Sequence, residues 1–287
     1  MRTRLVNRQR EVPLHGGTTN AGLVTRVGDT VRRPLRPTSA ATQALLDHLE
    51  RVGFEAAPRY LGVDDAGREV LSFIPGQAAI APYPDWALTD EALVSVAQLL
   101  RRYHDAVASF DPSGHRWPHP LPRRFSQGLI SHNDPNLDNV IFENGRAVAL
   151  IDFDLASPGS VAWDLACSAR LWAPLRERCD TPGQVRRRSL ARLALFADAY
   201  GVSSETRAEV IEAMVDSHDW CYAIVRGAVA AGHEAFGLYW RGGGKPRAER
   251  TRRWLANHAP QMRSALGVEM APVDRAAPPL THRTAIE

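Results

Sequence analysis

Residues 132–139 read HNDPNLDN, and residues 149–154 read ALIDFD. The first stretch gathers two acids and three amides behind a histidine. The second runs apolar until it stops on Asp152. A carboxylate (Asp134), an amide five residues on (Asn139) and a second carboxylate closing a strand (Asp152) are the groups a phosphoryl-transfer site needs. One acid orients a hydroxyl and accepts its proton. The amide and the other acid give oxygen ligands to a hard cation such as Mg2+, which takes its remaining ligands from phosphates and water. A calcium loop is the competing reading, because Asp134, Asn136 and Asp138 alternate. It fails where Asn139 replaces the turn glycine and Gly145 stands in the place of the bidentate glutamate.

The spacing of His132, Asp134 and Asn139 is that of the kinase catalytic loop. Residues 140–142 (VIF) and 147–151 (AVALI) read as two short strands around the turn ENGR, with Asn144-Gly145 at its centre. Such a hairpin returns the chain so that Asp152 approaches Asn139. The apolar strand then holds Asp152 rigidly, as catalysis by positioning requires.

The elements that must carry this site are legible in outline. Residues 22–33 form a hairpin around Gly28-Asp29, preceded by the turn-rich HGGTTN. Residues 39–51 have helical spacing, and residues 59–63 and 69–74 read as strands flanking DDAG. Residues 11–76 therefore suggest a small antiparallel sheet with one helix. The remainder, residues 77–267, reads as mainly helical. An amphipathic helix spans 90–107, a loop with four prolines spans 111–124, and helices are expected over 162–173, 182–200, 205–231 and 248–259. Thr181, Pro182 and Gln184 suggest a capping box that starts the second of these. Residues 268–287, rich in Ala, Pro and Thr, read as a disordered tail.

Composition sets the outer limits. The 287 residues, 44% hydrophobic and 23% charged, suffice for a large core. No apolar run reaches the roughly 18 residues of a membrane span. The basic N-terminus has no apolar stretch behind it, so no secretory leader is expected. Three scattered cysteines, Cys167, Cys179 and Cys221, fit a reducing cytoplasm. The net charge of +3 rests on arginine runs at 186–188 and 247–253. No aromatics interleave them, so they read as solvated helix faces and no nucleic-acid partner is expected.

The stretches HNDPNLDNVIF, ALIDFDLASPG and VAWDLA resemble the aminoglycoside phosphotransferase family, the small-molecule branch of the protein-kinase-like fold. VGDTVRRP, the segment ALLDHLERVGFEAAPRYLGVDDAGREVLSFIPG and LLRRYHDAV extend the likeness over about residues 12–260. The resemblance implies an α+β, bilobal fold with a small antiparallel-sheet first lobe and a larger, mainly helical second lobe. It implies ATP (or GTP) with Mg2+ between the lobes and transfer to a hydroxyl of a small molecule. On this likeness Asp134 is the catalytic base, His132 buttresses its loop, Asn139 and Asp152 hold the metal, and Asp164 braces the loop. Asp154 assists a metal or caps the segment after it. Ser72, Phe73 and Ile74 form the hinge that meets adenine, and Gly16 and Gly17 lie in the loop over the phosphates.

The sequence departs from the family in two places. The only lysine is Lys245, so Arg32 or Arg33 must replace the first-lobe lysine that grips phosphate. Its helix partner, usually Glu, falls at Thr42 or Gln43, with Glu50 too far along. These departures leave room for a second reading, a catalytically quiet binding or immunity protein that keeps the fold. On the acceptor side, Glu205, Glu209, Glu212, Asp216 and Asp219 share one helix face. They read as a solvent stripe or as a site for a cationic acceptor, with Asp216, Asp219 and Trp220 as candidate contacts. His218, Tyr222 and Trp240 line the acceptor cleft or belong to the core. The motifs do not fix the acceptor or the oligomeric state.

Overall fold

A computed structural model describes residues 10–14 and 22–269. Gly16, Gly17 and the segment 270–287 lie outside the described residues. The first half is built on tight turns. Gly28, at φ 59°, joins β2 (Thr25–Val27) to β3 (Thr30–Pro34). With β1 (Glu11–Pro13), β4 (Tyr60–Val63) and β5 (Arg68–Ser72) they form one antiparallel sheet in the order β1-β2-β3-β5-β4. The register sets Arg33 opposite Glu69. Helix α1 (Ser39–Arg51) packs Leu45, Leu46 and Leu49 into the core, as their spacing requires.

β6 (Gln77–Ala78) then pairs with β8 (Val140–Glu143), which forms the expected hairpin with β9 (Arg146–Leu150). Helix α2 (Asp90–Val107), capped by the Thr89 hydroxyl accepting from the Ala92 N–H, buries Leu93, Val96, Leu99, Leu100 and Tyr103. β7 (Leu129–Ser131) pairs with β10 (Ser157–Gly159), which leads into α3 (Val161–Trp172). Helices α4 (Ser189–Tyr200), α5 (Ser204–Ala230), α6 (Glu234–Tyr239), α7 (Lys245–Asn257) and α8 (Ala259–Ala265) complete the helical part. This is the expected α+β order of a sheet part with one helix followed by a mainly helical part.

β5 stops at Ser72, short of residue 74, and α7 starts at Lys245, three residues early, but the largest boundary difference is at α4. α4 begins at Ser189, and Thr181 caps no helix, because its hydroxyl donates backwards to the Glu177 carbonyl at 2.9 Å. The Gln184 amide instead donates to Asp85 at 2.6 Å. α4 is anchored by Arg192, only 1% exposed, whose guanidinium donates to the carbonyls of Leu88, Thr89 and Trp172 and to Asp90. The arginine runs are largely committed within the chain. Arg188 pairs with Asp90, Arg247 and Arg250 with Asp180, and Arg252 with Asp219. No described helix is long and apolar enough to cross a membrane.

Gly76 sits where the chain leaves the first sheet for β6. Its φ is 129°, and a Cβ there would stand 2.5 Å from Ile141 Cγ2 and 2.8 Å from the Phe142 carbonyl oxygen. Gly76→Ala should therefore lower stability by about 1–3 kcal/mol through strain and overpacking. A urea midpoint equal to wild type would show that the approach is not tight.

Candidate active site

The loop after β7 turns through Asn133, at φ 68°. Asparagine tolerates that region because its short amide bonds locally, and here it donates to the Leu155 carbonyl at 2.7 Å and the Ser157 hydroxyl at 2.8 Å. Asp164, fully buried near the start of α3, accepts the backbone N–H groups of His132 and Asn133, each at 2.8 Å. It also accepts His104 Nε2–H at 3.0 Å, while the Tyr200 hydroxyl donates to His104 Nδ1 at 2.8 Å. Burial alone would raise the Asp164 pKa, but the His104 bond and the other donors hold it below the usual range. Its folded pKa is thus lower than its unfolded one, so it contributes stability above about pH 4, and this is lost as pH falls further. Asp164→Asn should cost about 1–3 kcal/mol at pH 7, and the deficit should shrink on acidification. A deficit that persists unchanged at pH 3 would contradict that assignment.

His132 is buried between Tyr103 and Phe153. Its Nε2–H donates to the Ile151 carbonyl at 3.1 Å, and its Nδ1 accepts from the Asp134 N–H at 3.3 Å. Burial first of all lowers its pKa, in keeping with a neutral ring. One imidazole thus ties the Asp134 loop to the residue before Asp152. The Trp172 indole N–H fixes the other side of the loop through the Pro135 carbonyl at 2.8 Å.

Asp134 is half-buried. Asn136 donates to its Oδ1, and Asn139 Nδ2 donates to its Oδ2 at 3.0 Å and its carbonyl at 2.9 Å. The Asn139 amide nitrogen is thereby used, which leaves its oxygen as a ligand. The hairpin closes with the Ile151 N–H on the Asn139 carbonyl at 2.9 Å, so Asp152 follows directly beside Asn139. Asp152 has φ 60°. Its Oδ1 is buried with no hydrogen-bond donor, and Arg33 Nη1 stands 3.7 Å away. Burial and the Asp154 charge raise the Asp152 pKa to about 6, against the pull of Arg33 and Arg36. Burial together with Asp152 and Asp138 pushes Asp134 well above the carboxylate range. An orphaned carboxylate oxygen, a free amide oxygen and surplus negative charge fit a divalent cation. Among the described residues no three His, Cys, Asp or Glu side chains gather as a complete metal cage. That is consistent with a Mg2+ site in which the protein supplies few ligands and phosphates the rest.

Arg33 and Arg32 alternate across β3. Arg32 lies 3.4 Å from Asp64, whereas Arg33, 7% exposed, donates through Nε to Glu69 at 2.5 Å and through Nη1 to Asp154 at 2.9 Å. Gln43 of α1 donates to the other Glu69 oxygen at 2.9 Å. The acid that partners the arginine therefore comes from the neighbouring strand, and the helix contributes an amide. Asp154 is held between Arg33 and Arg36, at 2.9 and 3.0 Å.

Of these groups, Arg33, Asp138, Asn139 and Asp152 line a cavity of about 360 Å³. Leu14, Val24, Val31, Leu71, Ile141 and Ile151 give it apolar walls, and Arg33, Asn139 and Asp152 give it a polar end. Ser72, Phe73 and Ile74 form its edge. The Phe73 N–H goes to the Asp29 carbonyl at 2.9 Å, and Arg26 lies 3.6 Å from the Phe73 ring centroid. Among the described residues no backbone carbonyl takes the Ile74 N–H, which leaves it for a ligand. An apolar slot with an amide at one edge and charged groups at the far end suits a nucleotide base and its phosphates.

The candidate acceptor residues are less coherent. Asp216 is paired with Arg124 at 2.6 Å, and Asp219 with Arg252 at 2.8 Å and His218 at 3.1 Å. The Trp220 indole donates to the Pro120 carbonyl at 3.1 Å and packs on Trp163. Glu69, His104 and Tyr200 were not singled out from sequence. The first could have been found by aligning TVRRP against REVLS.

A model of the phosphotransferase enzyme family matches residues 115–196. The trifolitoxin immunity protein of Rhizobium leguminosarum bv. trifolii is 32% identical over 272 residues, covering 89% of this chain and 98% of that protein. The chain belongs to the phosphotransferase enzyme family. Two solved structures share its fold. A choline/ethanolamine kinase family protein from Mesorhizobium loti has a TM-score of 0.58 at 17% identity, over 90% of this phosphotransferase-family chain and 94% of the other. The GDP complex of aminoglycoside 2'-phosphotransferase-IIIa has a TM-score of 0.55 at 14% identity, over 89% and 94%.

Proposed function

We propose that the protein is a small-molecule kinase that moves the γ-phosphoryl group of ATP or GTP to an alcohol. The observation that carries this is that Asn139 and Asp152 line the apolar cavity together, while the Asn139 amide also holds the Asp134 carboxylate. The nucleotide base fills the slot beside Ile74. Arg33 faces the phosphates with its own position fixed by Glu69 and Asp154. Asn136 and Asn139 hold the Asp134 carboxylate towards the acceptor hydroxyl, whose proton it takes. Mg2+, when bound at Asn139 and Asp152, neutralises phosphate charge. The GDP held by the solved relative supports a nucleotide here.

A second reading has its own support. The relative at 32% identity is named an immunity protein, and a fold that binds a toxin with nucleotide but without turnover would also protect. The test is a panel of alcohols, sugars, amino alcohols and antibiotics incubated with Mg·ATP and read by mass spectrometry. A gain of one phosphoryl group on an acceptor supports the kinase. Tight nucleotide binding with no product anywhere in the panel supports the binder.

A further inference from the structure

Among the described residues, the buried guanidinium groups of Arg33 and Arg192 are matched to acceptors, whereas the buried Nε of Arg170 and that of Arg176 are not. Arg33 has Glu69 and Asp154, and Arg192 has three carbonyls and Asp90. Arg170, in the last turn of α3, is 7% exposed, yet its Nε has no hydrogen-bond partner. Among the described residues no carboxylate lies within ion-pair distance of it. Burial raises the pKa of the Cys221 thiol of α5, and the Arg170 guanidinium pulls against it. The Leu175 N–H returns to the Arg170 carbonyl at 3.1 Å, and the Arg176 N–H bonds the Pro174 carbonyl at 2.9 Å. This tight turn brings Arg176 back beside Arg170. Arg176 Nε is likewise buried and unpartnered, and the titratable groups that act on it are two phenols, Tyr83 and Tyr222, and two further arginines, Arg247 and Arg170.

Two desolvated cations with no carboxylate at ion-pair distance among the described residues are costly to a fold, and a ligand that supplies the missing charge offsets that cost. Their place says which ligand. Neither arginine lines the nucleotide cavity. The Arg170 charge is felt by Asp134 itself, and two residues after Arg170 the Trp172 indole grips the Pro135 carbonyl next to Asp134. Of the α5 acids, Asp216 and Asp219, the two nominated for a cationic acceptor, are already paired with Arg124 and Arg252.

We propose that Arg170 and Arg176 form an oxyanion subsite for the acceptor, so that the substrate is a hydroxyl compound bearing a carboxylate or phosphate rather than a polyamine. The assignment rests on the reading that Asp134 receives the acceptor hydroxyl. Two guanidinium forks grip the anion bidentately and thereby place the hydroxyl at the Asp134 carboxylate.

The experiment uses matched acceptors. D-glycerate and N-acetylserine are compared with their primary amides, glycerol 3-phosphate with glycerol, and kanamycin serves as the cationic arm, all with Mg·ATP. The subsite predicts kcat/KM at least about tenfold higher for the anions, through KM. Which anion leads, the acids or the phosphate, separates the two sources. Arg170→Gln and Arg176→Gln should bring each anion's advantage over its neutral partner close to unity, and Arg170→Lys should restore part of it. Arg170→Gln should also melt no lower than wild type, since it removes an unpaired buried charge. Equal kcat/KM for anion and neutral partner, a preference for kanamycin, or a lowered melting temperature with unchanged anion preference would overturn the subsite. Absence of nucleotide binding would sink the kinase reading by a separate readout. Even without turnover, calorimetric titration of the same pairs decides the matter. Anion binding lost in Arg170→Gln supports the subsite, and anion binding that is absent, or retained in that variant, refutes it.

Discussion

Asp134→Asn should reduce phosphoryl transfer by about 100- to 10,000-fold, the range expected when a positioned general base is lost. The substitution is close to isosteric, and Asn136 and Asn139 still flank the side chain, so the loop keeps its shape. What disappears is the ability to accept a proton. Removing the carboxylate also relieves its repulsion with Asp152 and Asp138. Thermal stability should therefore hold or rise while turnover falls, a split that misfolding cannot produce. Steady-state rates beside melting curves check it. Unchanged turnover in Asp134→Asn would remove this residue from the mechanism.

Arg33→Met should have the largest effect on stability, about 3–5 kcal/mol. Arg33 neutralises Glu69, which is fully buried, and Asp154, and it stands close to Asp152. Without it, the buried Glu69 loses its counter-charge, while Arg36 remains to act on Asp154 and Asp152. Adding Glu69→Gln should recover a good part of the loss, because the new amide needs no cation and Gln43 remains beside it. Denaturant midpoints for the single and double variants measure this coupling. Strictly additive effects would mean that Arg33 and Glu69 do not act as a pair. A lysine at position 33 carries the charge but has no planar fork, so it cannot serve Glu69 and Asp154 together in the same geometry.

The loop over residues 132–139 and the hairpin after it were legible in the sequence because their signals are local. The spacing from His132 to Asn139, the Asn144-Gly145 turn and the apolar run into Asp152 each lie within a few residues. The helix over 90–107 was equally plain, since one buried face repeats at helical spacing. What the sequence left open depended on pairing between distant strands. Arg32 and Arg33 are equivalent in TVRRP until β3 is set against β5, and then Glu69 selects Arg33. The same register explains the missing helix acid, whose part falls to Glu69 with Gln43 behind it. The acidic face of α5 was correctly periodic, but periodicity does not reveal that Arg124 and Arg252 reach it from elsewhere in the chain. The unmatched Arg170 carries no sequence signal at all, because only packing can show that a cation lacks a partner.

The decisive experiment is a crystal structure with Mg2+ and a non-hydrolysable ATP analogue. A metal is expected at about 2.0–2.1 Å from the Asn139 amide oxygen and an Asp152 carboxylate oxygen. The base should lie against Ile74, and the Asp134 carboxylate should remain free of the metal and face the γ-phosphate. A nucleotide bound elsewhere, or a metal that ignores Asn139 and Asp152, would contradict the proposed chemistry.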